Sequence, residues 1–446
     1  MTRPHQTSIA AAIPVELLSE IFHRLCDKPI ALQWLRVYPE DFDSFPWAAG
    51  QVCKQWRRAF LTYPALWTSL NLSDHMFGNQ YADKANRRTS VFLERSRGYP
   101  LDISFCGFRN ICTPSDLMTS TWRLLLENSY RWRTADIRMD LGASTDILRE
   151  YRGKMPILTS LKIFCGWVTK QNFDAFEVAP RLIHLSVWCW RGMSHLLIPW
   201  AQLTKLTLGL DSPMYLIQEG DIIALLHALQ NIEELRFKIA DPFSERFSYP
   251  VVWPAIRLTR LRLLEVPHFT ILLWIEPPVL EHLHVTDRTF GSVYGFQMYS
   301  GALCSMVINS SCYIRRLTLE HCQVMTMQDV MDALPRVEEL YVTKEQEPED
   351  LCSVIRKCLG EVDGHVYLPK LRVLRITCKM GHVNETLVEA ISHLLEKRGT
   401  ESALTSCAVP IEELTIKMKR DGHIPEIPDK VLDAMDRWPT FAKYSY

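Results

Sequence analysis

A six-residue template, apolar-x-x-Leu-x-apolar, recurs ten times between residues 158 and 416. It reads LTSLKI (Leu158, Leu161, Ile163), LIHLSV (Leu182, Leu185, Val187), LTKLTL (Leu203, Leu206, Leu208), IEELRF (Ile232, Leu235, Phe237) and LRLLEV (Leu261, Leu264, Val266). It continues as LEHLHV (Leu280, Leu283, Val285), IRRLTL (Ile314, Leu317, Leu319), VEELYV (Val337, Leu340, Val342), LRVLRI (Leu371, Leu374, Ile376) and IEELTI (Ile411, Leu414, Ile416). The Leu-x-apolar half sends two side chains to one side of a short strand. The apolar residue three positions earlier plugs the same core from the turn into that strand. One such unit cannot bury its own apolar face, so consecutive units have to stack and share a core. The middle leucines are separated by 19 residues at the closest (Leu264 to Leu283) and 40 at the widest (Leu374 to Leu414), so the connecting arms vary in length.

The arms read as helices. DIIALLHALQ (221–230) and VMDALP (330–335) lead into strands, and ETLVEAISHLLEKRG (385–399) places Leu387, Ala390, Ile391, Leu394 and Leu395 on one face before Gly399. VLDAMDRW (431–438) is expected to cap the last unit through Val431, Leu432, Met435 and Trp438. Upstream, PLDISF (100–105) and RTADIRM (133–139) read as early, divergent strands, with WRLLLENSYRW (122–132) as the helix between them. The whole pattern is that of a degenerate leucine-rich repeat, with strands expected to line a curved parallel sheet.

Composition narrows the class of ligand. Fifty Lys+Arg against fifty-one Asp+Glu leave a net charge of -1 over 446 residues. Such a chain has no long-range field to draw it onto phosphate backbones or anionic lipid, so neither nucleic acid nor membrane is expected as a partner. The longest apolar stretches, such as FTILLWI, fall far short of the ~18 residues needed to span a bilayer. Thirteen cysteines without a C-x-x-C pair, and no apolar leader, lead us to expect a reducing compartment, cytoplasmic or nuclear.

The first segment has a different pattern. In IPVELLSEIFHRL (13–25), Leu17, Leu18, Ile21, Phe22 and Leu25 fall on one helical face, Pro14 suits the first turn, and Glu16 sits at the positive end of the helix dipole. In QVCKQWRRAFL, Val52, Cys53, Trp56, Ala59 and Phe60 share a face opposite Lys54, Arg57 and Arg58, and Pro64 stops the helix. ALWTSLNL follows, with Leu66, Trp67, Leu70 and Leu72 ending in strand-like alternation. IPVELLSEIF, then VCKQWRRAF, then Leu-Trp and a strand resembles the F-box family. The resemblance covers roughly residues 10–72 and implies a small helical module that docks on the Skp-type adaptor of cullin-RING ubiquitin ligases. Carried over by position, Ile13, Pro14, Glu16, Leu17, Leu18 and Ile21 would lie at or beside the adaptor groove. Val52, Cys53 and Trp56 would hold the second motif helix, partly as core and partly as contact. Between the motifs lies an insert over residues 26–51, longer than a compact module of this kind needs by about fifteen residues; its residues carry no assigned role.

The expected architecture is therefore α/β: an F-box-like helical domain over 10–72, then a leucine-rich-repeat solenoid over 73–446. Joined, the two resemble substrate receptors of Skp–cullin–F-box ligases. The resemblance implies a non-catalytic subunit, with the solenoid gripping an as yet unidentified protein substrate. The alternative is an interaction scaffold outside ubiquitination. WCWRGM (188–193) is the most suggestive loop, because Trp and Arg are enriched at interface centres. Trp188, Trp190 and Arg191 are the candidate target contacts, the competing reading being that both tryptophans pack between repeats. The KEQEPED loop (344–350) reads as a solvated insertion, and Arg87, Arg88, Arg95 and Arg97 either as a site for an acidic partner or as surface charge. No nucleophile elbow, phosphate-binding glycine loop or H-E-x-x-H helix is present in the sequence. His282 and His284 alternate along one strand, but two ligands do not make a zinc site, and Cys322 and Cys352 have no assignable base. No catalytic residue, metal or cofactor is expected.

Overall fold

The computed structural model describes residues 13–25, 49–73, 82–107, 116–139, 146–165, 172–188, 195–210, 219–239, 254–267, 269–286, 296–320, 331–344, 352, 355–356, 368–379, 389–390, 393–394, 409, 411–419 and 442–444. It divides into two units, Met1–Leu203 and Thr204–Tyr446. In the first, strands β1 (Ser69–Ser73), β2 (Leu101–Cys106), β3 (Trp132–Met139), β4 (Ser160–Cys165) and β5 (His184–Trp188) pair in sequence order, all parallel. In the second, β6 (Lys205–Leu210), β7 (Glu234–Ile239), β9 (Leu263–Val266), β11 (His282–Thr286), β12 (Arg316–Glu320), β13 (Glu339–Lys344), β14 (Val373–Lys379), β15 (Glu413–Lys419) and β16 (Ala442–Tyr444) do the same. Two short strands, β8 (Ile256–Arg257) and β10 (Ile275–Glu276), pair only with each other. The fold is α/β with parallel sheet throughout.

The repeat template explains the register. In the second unit, neighbouring strands align Leu206, Leu235, Leu264, Leu283, Leu317, Leu340, Leu374 and Leu414 side by side, every one of them buried. In the first, Leu70, Ile103, Ala135, Leu161 and Leu185 form the corresponding row, followed two residues on by Leu72, Phe105, Ile137, Ile163 and Val187. A one-residue slip would turn an entire row to solvent, so burial fixes the pairing.

The plug position is equally regular. All ten template residues there, from Leu158 to Ile411, are buried. At Leu182, Leu203, Leu261, Leu280, Val337 and Leu371, the backbone N–H donates to the carbonyl three residues earlier, at 3.1–3.3 Å. These strands are thus entered through the same tight turn, whose apolar residue is buried while its amide is satisfied locally.

Helices join the strands. In the first unit, α1 (Val15–Leu25), α2 (Ala49–Val52) and α3 (Lys54–Thr62) precede a 3-10 turn at Pro64–Trp67. The single helix expected from QVCKQWRRAFL is broken at Cys53, which is extended (φ -159, ψ 174). Its carbonyl opens α3 by accepting the Arg57 N–H at 2.9 Å, while Arg57 Nε donates to the Gly50 carbonyl at 2.8 Å. Tyr63 is extended too, as a residue before proline should be. The expected boundary at 72/73 falls inside β1.

Two further helices, α4 (Ala82–Arg95) and α5 (Asp116–Glu127), cover the first strands. The second stops at Glu127, short of the expected 132, because the Asn128 side chain caps it by donating to the Leu124 carbonyl at 3.0 Å, and Trp132 is drawn into the core as the start of β3. Trp122 lies 4.6 Å from Phe105 and 5.9 Å from Trp132, ring centre to ring centre. Arg131 is buried and serves as a fastener: Nε and Nη2 donate to the Tyr99 carbonyl at 3.0 and 2.9 Å, and Nη2 also donates to Ser96 Oγ at 2.6 Å. A cation just past the C-terminal end of α4 also meets the negative end of its dipole.

In the second unit, α6 (Glu219–Ala228) lies within the expected 221–230 arm apart from its first turn, and α7 (Phe296–Ser310) packs on the 3-10 segment Phe269–Trp274 and β10. Of the 385–399 arm, residues 389–390 and 393–394 are helical with Ala390 and Leu394 buried; the 431–438 cap lies outside the described residues. Among the described residues no helix is long and apolar enough to cross a membrane.

Candidate interaction surfaces

The N-terminal helices carry an apolar surface that the fold does not use. Leu18 and Phe22 of α1 are fully buried, and the Phe22 ring meets Trp56 of α3 edge-on at 5.5 Å. Gln55 Nε2 donates to the Ile13 carbonyl at 2.6 Å, tying the start of α1 to α3. Ala59 and Phe60 bury against Trp67, whose indole N–H donates to the Phe60 carbonyl at 3.2 Å, and the Arg95 guanidinium lies over that indole at 4.5 Å. Arg95, read from sequence as part of a basic cluster, thus packs against the core, while Arg87, Arg88 and Arg97 lie at the exposed surface.

The nine positions singled out for adaptor docking separate accordingly. Leu18 is core, and Trp56 is half-buried at its edge. Ile13, Ile21 and Cys53 are half-buried, whereas Pro14, Glu16, Leu17 and Val52 are exposed. Pro14, Leu17 and Ile21 follow one another at i, i+3 and i+7, a stripe that flanks Leu18 and Phe22 along the edge of the buried face of α1. Leu17 keeps 56% and Val52 51% of its surface open to solvent. Val15, at 39% exposed, is a further open apolar residue that the sequence pattern did not single out.

The second surface is the polar side of the sheets. In the first unit the outward rows hold mostly Ser, Thr, Asn and Asp, with His184 and Lys162 among them and Asp136 paired to Arg138 at 3.0 Å and Lys162 at 3.5 Å; at the C-terminal ends of the strands Cys106, Arg138, Phe164 and Trp188 come side by side. Trp188 is half-buried in this row, and its indole N–H donates to Ser186 Oγ at 2.8 Å. Trp190 and Arg191 lie outside the described residues.

In the second unit the outward side is an ionic lattice. Lys205 Nζ lies 2.6 Å from Glu234, and Arg236 bridges Glu234 at 3.3 Å and Glu265 at 4.0 Å. His284 stands between Glu265 (3.8 Å) and Glu320 (3.4 Å), and Arg316 pairs with Glu339 at 2.7 Å. Tyr341 donates to Glu339 at 3.0 Å, with the guanidinium groups of Arg316 and Arg375 at 5.6 and 5.0 Å from its ring. Burial pushes the Glu339 carboxyl up, but hydrogen bonds from Arg316 and Tyr341 outweigh it and hold the group below the usual carboxylate range. For His282 burial comes first and the Arg316 charge adds to it, so its imidazole titrates below its ordinary value. A shallow pocket of about 120 Å³ opens among Arg236, Glu265, His282, His284 and Arg316. His282 and His284 face the same side as expected, but among the described residues no three His, Cys, Asp or Glu side chains are arranged to hold a metal ion. Cys352 is buried, and both Cys322 and the 345–350 loop lie outside the described residues.

A second charged row stands at the entry to the strands. From Ile232 onward the residue after each plug alternates in sign: Glu233, Arg262, Glu281, Arg315, Glu338, Arg372, Glu412. Each of these N–H groups from Arg262 onward donates to the carbonyl of the residue before it in that series, at 2.7–3.0 Å. Arg315–Glu338 (2.8 Å) and Arg372–Glu412 (3.2 Å) also pair through their side chains. No protein-family model matches the chain, and no curated protein matches it significantly. What the coordinates define is an α/β chain of stacked parallel strand units, with an apolar helical surface at one place and polar sheet faces at others.

Proposed function

We propose that the chain is the substrate-recognition subunit of a Skp–cullin–F-box ubiquitin ligase, acting in the cytoplasm or nucleus. The helical segment holds the Skp-type adaptor and through it the cullin-RING machinery. The strand repeats, read as a curved leucine-rich-repeat solenoid, hold a protein target. The chain does no bond chemistry of its own: tethering raises the effective concentration of target lysines near the ubiquitin-loaded enzyme.

The observation that carries this reading is the division within α1. Leu18 and Phe22 anchor the helix in the core, leaving Pro14 and Leu17, with Val52 of α2, as open apolar surface. Apolar side chains held rigidly at a surface, with the motif residues around them, suit the centre of an interface. The test is co-purification of the full chain with a Skp-type adaptor. Replacing Pro14 with Ala and Leu17 with Asp is expected to abolish the complex while leaving the circular dichroism spectrum and melting curve unchanged, since both side chains are exposed. An adaptor complex that survives the double change removes the assignment. A wild-type chain that captures target proteins but never the adaptor favours the scaffold reading.

A further inference from the structure

We propose that the groove at the C-terminal end of α5 takes a short proline-rich segment of a partner protein in the extended polyproline II form. The groove shares no residue with the helical surface or with the outward sheet faces, so this assignment goes beyond the ligase reading and does not depend on it.

Two turns form its walls. Leu126 and Glu127 end α5, and Ser129 and Tyr130 follow in a 3-10 turn (Ser129–Arg131). The opposite wall is the 151–156 turn, which leads to the plug Leu158. Ser129 is buried, and its hydroxyl donates to the Lys154 carbonyl at 3.2 Å, tying one wall to the other. Within the second wall the Lys154 N–H donates to the Tyr151 carbonyl at 3.0 Å, and Gly153 holds φ at +77°, a left-handed backbone that favours glycine. The cavity between the walls measures about 490 Å³, inside the roughly 300–1,000 Å³ usual for ligand sites.

The lining is aromatic and rich in open donors. Tyr130 keeps 57% of its surface exposed, Tyr151 is half-buried, and Pro156 beside them is exposed. Gly153 lies against Val178, itself 50% exposed, so the apolar surface continues past the rim. Neither phenol hydroxyl has a hydrogen-bond partner among the described residues, and the Lys154 ammonium lies over the Tyr151 ring at 4.6 Å. Burial first, then the charges of Glu127 and Glu150, raise the Tyr151 phenol above its ordinary value, so it stays a protonated donor at neutral pH. These features select the occupant. Proline has no N–H, and a polyproline II chain makes no internal hydrogen bonds, so it offers free carbonyls to donors and pyrrolidine rings to aromatic faces. Two phenols and one ammonium supply those donors. Glu127 and Lys154 cancel at the lining, which gives a strongly charged ligand no advantage, and nucleic acid would bring its phosphates up against Glu127.

The test is fluorescence anisotropy with the full chain and a labelled, uncharged peptide of about ten residues carrying Pro-x-x-Pro repeats. It is set against the same peptide with Ala at every proline and against a single-stranded oligonucleotide. The expected result is saturable binding of the proline peptide, at least about tenfold tighter than that of the alanine peptide. Tyr130→Ala should weaken it at least about tenfold. Tyr130→Phe combined with Tyr151→Phe keeps both rings and removes both hydroxyls; this variant should melt with wild type and bind about three- to tenfold more weakly. It keeps the result readable if Tyr130→Ala lowers the melting temperature. Arg181→Ala, an exposed change outside the groove, should stay within about twofold. No saturable binding, equal affinity for the alanine peptide, undiminished affinity after the paired Tyr→Phe change, or tighter binding of the oligonucleotide would each overturn the inference. So would self-association of the chain that Tyr130→Ala abolishes without any peptide binding, which would give the groove to a second copy.

Discussion

The two units build their buried rows by one rule and differ in how far their outward rows are ionic. In the first unit the outward strand positions are mainly Ser, Thr, Asn and Asp, with Arg138 and Lys162 paired to Asp136 and the aromatic pair Phe164 and Trp188 at one end. In the second unit they form the ionic lattice around Arg236, His284, Arg316 and Tyr341. Behind both lies an equivalent aligned apolar row, all leucine from β6 to β15 and mixed in the first unit. Burial tolerates few solutions, because a core position has to be apolar and of the right size. The outward positions are constrained only by solubility and by whatever they touch. Partner specificity is therefore expected to reside in the outward rows, and the two units are equipped for different surfaces.

The comparison breaks most easily at the buried rows, which it holds to be equivalent. Leu317→Ala in β12 and Leu161→Ala in β4 should each cost about 2–5 kcal/mol, measured as a shift in denaturant midpoint. Both side chains are at most 1% exposed and sit in the middle-leucine row of their units. A cost below about 1 kcal/mol at one site and a full cost at the other would mean that only one unit relies on its row.

How far these features could be read from sequence follows from the same distinction. The ten templates were legible because three fixed apolar positions recur in each, and all thirty belong to described segments where they form strands and plugs. The early strands β2 and β3 were found by alternation alone. Helix α4 was missed because ADKANRRTSVFLER bunches Val91, Phe92 and Leu93 together and shows no stripe; what it buries are Thr89, Phe92 and Leu93. Helix α7 was missed for the opposite reason: GALCSMVI is apolar nearly all round and shows no stripe, although in the fold it keeps an open side with Ile308 74% exposed. At the helical surface the motif picked out exposed and buried residues together and could not sort them. Leu17 and Leu18 are adjacent and chemically identical, and only the fold tells the exposed one from the buried one. The charged rows were missed because the search was for rows of apolar residues, whereas the row at the strand entries shows as a sign that alternates between repeats.

Acidification sharpens the comparison next, with an effect on the second unit alone. His282 titrates below its ordinary value in the fold, through burial and then through Arg316. The unfolded chain therefore takes up the proton first, and stability falls as pH drops below about 6.5. Glu234 adds a second phase. Burial raises its carboxyl, but the Lys205 hydrogen bond and charge and the Arg236 charge prevail and lower it, as Arg316 and Tyr341 do for Glu339. That contribution is present above the unfolded carboxyl value and fades as pH falls below about 4.3. Urea midpoints followed from pH 8 to 3 should decline in this order. His282→Gln should remove the first step and leave the second, and a midpoint that rises on passing from pH 7 to 5.5 would contradict the assignment.

The smallest effect is the most informative about what the lattice is for. Arg316 and Glu339 are 40% and 20% exposed at their side chains, and the pair is open to water on the outward face. A double-mutant cycle with Arg316→Ala and Glu339→Ala should return a coupling of no more than about 1 kcal/mol, several-fold below the cost of a single buried leucine. Tyr341 shares both partners, so Tyr341→Phe should change the coupling while scarcely changing stability. A coupling of several kcal/mol would mean that the outward row helps specify the fold, and the separation of an inner row that builds from an outer row that recognises would not hold in the second unit. A small coupling leaves those charges available to a partner, since pairs that contribute little to folding can be exchanged for intermolecular ones at little cost.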